Sequence, residues 1–95
     1  MVKALNLVEW NGHPAEDASP SIFASFDVQK CKLKDVFWRG VNLRNVDLYG
    51  SDLSGASLRS ADLRDAVLYQ STLIRCKLNE ANLERANLEG ARIGA

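Results

Sequence analysis

Net charge is what this chain of 95 residues most plainly lacks: twelve basic side chains balance twelve acidic ones. There is therefore no net field to draw in nucleic acid or to imitate it. No apolar run approaches the ~20 residues of a membrane helix, so no membrane association is expected. Met1-Val2-Lys3-Ala4-Leu5-Asn6-Leu7 lacks the apolar stretch of a secretory signal, and a cytoplasmic location is expected. Histidine occurs once, as His13, with no fixed partner to act with. No Ser/His/Asp or Cys/His arrangement has a plausible geometry, and no metal ligands cluster. Neither G-x-x-x-x-G-K nor G-x-G-x-x-G is present, which removes the phosphate loops. The reading is of a protein that is not an enzyme, with no cofactor and no metal.

What is present is a period of five. Phe23, Val28, Leu33, Trp38, Leu43, Leu48, Leu53, Leu58, Leu63, Leu68, Leu73, Leu78, Leu83, Leu88 and Ile93 recur at every fifth position. Two residues before each central residue stands a mostly small or β-branched one, as Val36, Ser51, Ala61, Cys76 and Ala91 illustrate. On an α-helix, residues five apart are offset by about 140°, and the leucines would spiral away from any single face. On a flat strand every second leucine would point to water. The set is buried only if the chain turns a corner every five residues and sends the same two positions inward each time. Stacked corners make a solenoid whose backbone groups pair from coil to coil.

Segments such as Ala61-Asp62-Leu63-Arg64-Asp65, Ala81-Asn82-Leu83-Glu84-Arg85 and Ala86-Asn87-Leu88-Glu89-Gly90 resemble the A-(D/N)-L-x-x unit of the pentapeptide-repeat family. The resemblance covers Ser21 to Ala95, fifteen units without a slip. It implies an all-β fold, a right-handed quadrilateral parallel β-helix with four units to a coil and just under four coils. The first units depart from the pattern, with Phe26, Cys31 and Val36 at the small position. Cys31 and Cys76 both take the inward small position, in different units and about two coils apart. That exceeds the ~7 Å Cα separation a disulfide tolerates, so both are read as buried filler.

Residues 1–20 do not follow the repeat. Lys3 to Trp10 reads as a strand-like cap over the first coil, Asn11-Gly12 as a turn, and His13-Pro14 through Ser19-Pro20 as a polar connector. The domain division is therefore 1–20, cap and connector, and 21–95, the repeat. At the other end Ala91-Arg92-Ile93-Gly94-Ala95 carries no capping helix, and an open apolar end is an edge liability. An end-to-end homodimer through the C-terminal coil is one solution.

With four units to a coil, residues twenty apart stack in columns. Asn42, Asp62 and Asn82 form one column, and Asp27, Asp47 and Asn87 belong to another that Val67 interrupts. Their short side chains suit hydrogen bonds to nearby backbone rather than acid–base chemistry. Gly40, Gly50, Gly55 and Gly90 close units, where corners demand unusual dihedrals. The position after the central residue points outward. There Arg39 and Arg59 stack in one column and Arg44 and Arg64 in the next, which predicts a two-by-two basic patch. Phe37 flanks it, with Tyr49 and Tyr69 farther along. Arginine and tyrosine are enriched at binding hot spots, and arginine clusters suit carboxylates and phosphates. The competing reading is a solvated face on which Asp62 and Asp65 answer Arg64.

The function expected is a non-catalytic binding or regulatory module that presents a rigid β surface to another protein. Two alternatives stay open. Some members of the family imitate DNA and bind type II topoisomerases such as gyrase; that role needs rows of carboxylates on a long rod, and this chain is short and neutral. The other is a purely structural spacer or assembly unit. Direct nucleic-acid binding through the arginines is disfavoured by the overall neutrality.

Overall fold

The structure is a computed structural model that describes Ala24 and residues 27–94. The expected cap, connector and first two repeat positions, Phe23 and Phe26, lie outside the described residues.

Each five-residue unit makes one corner. The residue two after the central one has positive φ in every unit from Lys30 (55°) to Gly90 (73°). The corner is closed when the next inward small residue donates its N–H to the central residue's carbonyl, as Ala56 does to Leu53 at 3.0 Å. These closing distances are 3.3 Å at Val36, Val41 and Val46, and 2.9–3.1 Å from Ser51 to Ala91. The β-branched bulk of valine, pressed inward at the corner, holds the turn slightly open.

Between corners the chain pairs with itself one turn on. Lys32 pairs with Asp52, Phe37 with Ser57, Asn42 with Asp62 and Asp47 with Val67, all parallel and all twenty residues apart. The same register continues with Asp52 to Thr72, Ser57 to Lys77, Asp62 to Asn82 and Val67 to Asn87. Among the described residues, pairing reaches strand length only where β1 (Thr72–Ile74) meets β2 (Arg92–Gly94), with Leu73 opposite Ile93. Elsewhere the corners interrupt each strand after one pair. Twenty residues divided among five-residue units give four sides to each turn. The architecture is a repeat β-helix solenoid.

Inside lie two stacks. Leu33, Trp38, Leu43, Leu48, Leu53, Leu58, Leu63, Leu68 and Leu73 are buried at the central position, with Val36, Val41, Val46, Ala56, Ala61 and Ala66 between them. Leu78, Leu83 and Leu88 are half-buried, and Ile93 is 58% exposed. Burial of the central stack is thus complete from Leu33 to Leu73 and falls away from Leu78 to Ile93. Two hydroxyls share the core without cost, because each is satisfied. Ser51 Oγ donates to the Val28 carbonyl at 3.0 Å and accepts the Cys31 N–H at 3.1 Å; Ser71 Oγ donates to the Leu68 carbonyl at 2.7 Å.

Candidate binding surface

The four sides differ in what precedes the central residue. The first carries Asn42, Asp62 and Asn82; the second Asp27, Asp47, Val67 and Asn87; the third Lys32, Asp52, Thr72 and Arg92; the fourth Phe37, Ser57 and Lys77. Wherever Asp or Asn stands there, its Oδ1 accepts the N–H two residues on. The pairs are Asp27 with Gln29, Asn42 with Arg44, Asp47 with Tyr49, Asp52 with Ser54, Asp62 with Arg64, Asn82 with Glu84 and Asn87 with Glu89, at 3.0–3.2 Å. The columns of carboxylates and amides are backbone caps.

The four arginines do not form one open patch. Arg39 and Arg59 on the fourth side are exposed. Arg44, one column round the corner, is only 7% exposed. It donates from Nη1 to Asp62 Oδ2 at 3.2 Å. Arg64 is half-buried and donates to the same carboxylate from Nε at 2.8 Å and Nη2 at 2.5 Å. The physical reason is reach: a long side chain at Arg44 spans one step of the stack, about 4.8 Å, and finds a carboxylate already aimed along the column. The hydrogen bonds from Arg64, with a smaller contribution from Arg44, hold the Asp62 carboxyl below its usual range against the effect of burial. Asp65, expected to answer Arg64, instead pairs with Arg85 at 2.8 Å, and that bond lowers its pKa.

The two tyrosines are separate again. Tyr49 and Tyr69 stack with ring centroids 5.6 Å apart and planes at 18°, and the Lys30 ammonium sits 5.8 Å from the Tyr49 centroid. They occupy the second side, two corners away from Arg39 and Arg59 and so across the rod from them. Phe37 does lie beside Arg39, and it is 67% exposed. Over Ser57 and Gly55 opens a shallow hollow of about 360 Å³, bounded by Phe37, Arg39, Arg59, Lys77 and Asp35. Lys77, Ser57 and Asp35 are the residues of this surface that the residue pattern did not single out. The column Phe37–Ser57–Lys77 follows from counting in twenties.

Chemistry of other kinds has little to build on. Among the described residues no three His, Cys, Asp or Glu side chains group as metal ligands. Cys31 and Cys76 are free thiols. Burial pushes Cys76 up to about 11 and Cys31 upward as well, so both are protonated at neutral pH. No helix of the described residues is long and apolar enough to cross a membrane.

The family model described as pentapeptide repeats matches residues 27–65 and 56–93, in eight copies. Two solved structures are similar in fold. One is the pentapeptide repeat protein Rfr23 from the cyanobacterium Cyanothece 51142, at 23% identity and a TM-score of 0.52, covering 82% of this chain and 63% of that one. The other is alr5209, a pentapeptide repeat protein from Nostoc Pcc 7120, at 27% identity and a TM-score of 0.50, covering 75% and 78%. This chain therefore spans less than two thirds of the length of Rfr23. No curated protein matches it.

Proposed function

The chain belongs to the pentapeptide-repeat family, and on that premise we propose that it is a cytoplasmic, non-catalytic binding module. It would be a right-handed quadrilateral β-helix of just under four coils, acting through side chains on its outer sides against another protein. The observation that carries this reading is Phe37, 67% exposed beside the exposed Arg39 and Arg59. An aromatic next to arginines is the composition of binding hot spots. Rigidity supports it too, since N–H and carbonyl groups pair from turn to turn along every side and little ordering entropy is lost on docking.

The DNA-mimic alternative is weakened by Asp62 and Asp65, whose carboxylates are already answered by Arg44, Arg64 and Arg85. The assembly alternative has an observation of its own in the half-buried Leu78, Leu83 and Leu88 and the exposed Ile93. A second copy meeting that end would cover them, and sedimentation equilibrium at rising concentration separates monomer from dimer.

The test of the leading reading is affinity capture from host lysate with the wild-type chain and a folded Arg39→Glu/Arg59→Glu variant. A partner retained by wild type is expected. Identical, empty captures reject the binding module and leave assembly.

A further inference from the structure

The fourth side is alone among the four in having no Asp or Asn before any described central residue: Phe37, Ser57 and Lys77 stand there instead. The repeat places each backbone group at the same point of every unit. The N–H groups of Arg39 and Arg59 therefore face outward at the spot where, on other sides, an Asx oxygen accepts them. Among the described residues neither N–H has an acceptor. The Arg39 and Arg59 guanidiniums and the Lys77 ammonium likewise have no ion pair among the described residues. Ser57 is short, and the hollow of about 360 Å³ that opens over it is lined by Arg39, Arg59 and Lys77, with exposed Phe37 at its edge.

We propose that this side binds an acidic peptide segment of a partner protein, whose carboxylates occupy the places the chain's own Asx side chains fill elsewhere. A partner Asp or Glu accepts the outward N–H of Arg59 or Arg39 and pairs with the guanidiniums and Lys77, while a neighbouring apolar side chain covers Phe37. Charge-assisted bonds to carboxylate are the strong class of hydrogen bond, and arginine's planar fork suits them. Recognition is by side chains, because the ladder bonds of this side are already used between turns: Trp38 N–H to Ser57, and Ser57 N–H to Val36. A polyanionic nucleic acid fits less well. Asp35 stands at the rim of the hollow and Glu80 accepts from Ser60 nearby, while a single Phe is no ladder of stacking platforms for successive bases.

This inference deepens the binding-module reading and rests on it. Its test is fluorescence anisotropy with a short labelled peptide alternating glutamate and leucine, and with its glutamine counterpart. Wild type is expected to bind the glutamate peptide and not the other. Ser57→Asp supplies the missing cap to the Arg59 N–H from within the chain. It should keep or raise Tm and yet weaken the peptide about tenfold or more. Ser57→Asn, which caps without charge, should weaken it less, and Arg39→Glu/Arg59→Glu should abolish it. Undiminished binding to folded Ser57→Asp, equal binding of the two peptides, or no binding at all overturns the proposal. A single-stranded oligonucleotide of matched charge binding more tightly than the peptide overturns it in favour of nucleic acid. A lysate partner that wild type and Ser57→Asp capture alike rejects the fourth side and leaves the module reading standing.

Discussion

Arg44 donates to Asp62 across one turn of the solenoid at 3.2 Å, and both side chains are more than nine-tenths buried. Arg64 closes the same carboxylate from its own turn. A pair so placed stabilises little in total, but breaking it leaves an uncompensated charge inside. Arg44 Nε, buried and without a partner among the described residues, makes the dependence on Asp62 sharper.

Asp62→Asn keeps the backbone cap and removes the charge. It is expected to destabilise by about 2 kcal/mol, below the fully buried range because Arg64 is partly solvated. The pH dependence follows from the lowered carboxyl pKa. Above about 5 the group is ionised folded and unfolded, and its contribution is complete. As pH falls, the unfolded chain takes up the proton first, and the contribution disappears as the folded carboxyl titrates. Urea midpoints measured from neutral pH into the acid range should fall more steeply for wild type than for Asp62→Asn; parallel curves would exclude Asp62 as the titrating group.

Two corner glycines separate conformational strain from crowding. Gly40 has φ +72° and open space where a Cβ would stand, whereas at Gly55 (φ +72°) the Asp35 carboxylate occupies that space. Gly40→Ala should cost about 1 kcal/mol, the left-handed penalty alone. Gly55→Ala should cost about 2, because Asp35 must also leave its rotamer. Adding Asp35→Ala to Gly55→Ala should recover the difference in thermal melts; no recovery places the extra cost in the backbone.

Core deletions should grade along the rod. Leu58 is fully buried and Leu83 half-buried. Leu58→Ala is expected to cost about 3 kcal/mol and Leu83→Ala about half that, by loss of transfer energy and by the cavity left. Equal costs in chemical unfolding would mean that the Leu83 layer is covered in solution, by a second copy or otherwise.

Cys76 should be a slow thiol. With its pKa pushed to about 11, its thiolate at pH 8 is about two hundredfold scarcer than that of a free cysteine near 8.5. Reaction with an aromatic disulfide reagent is expected to lag accordingly in the native chain and to reach the ordinary rate in urea. Equally fast reaction in both states would show that the Cys76 layer opens readily.

The spacing from Leu33 to Ile93 already excludes a helix or a flat strand, because only a corner every five residues buries it. The caps were legible as well: Asp and Asn before the central residue point to backbone hydrogen bonds, and seven such bonds are present among the described residues. The corners were half legible. Glycine marks four of them, yet Lys30, Asp35, Asn45, Ser60, Asp65, Gln70, Arg75, Glu80 and Arg85 adopt the same left-handed φ. Turn-to-turn bonding outweighs the cost of about 1–2 kcal/mol at each non-glycine corner, so residue type does not reveal them. The candidate surface was the least legible. Arg39, Arg44, Arg59 and Arg64 hold equivalent positions in the repeat; Asp62, two residues before Arg64, marks that arginine as answered, but nothing in the period separates the committed Arg44 from the free Arg39 and Arg59.

From the residues alone came the turn every five positions, the inward pair in each unit and the small side chains that let the sides close. These are set by local period and by the burial that period demands. Beyond the Asp62–Arg64 pair, two residues apart, the tertiary structure decided which charges remain available, since that depends on side chains one turn away, eighteen or twenty residues off in sequence. Arg44 meets Asp62 and is consumed, whereas Arg39 and Arg59 stand beside Phe37 and Ser57, which offer no carboxylate. A side chain longer than the step between turns takes whatever partner the neighbouring turn supplies.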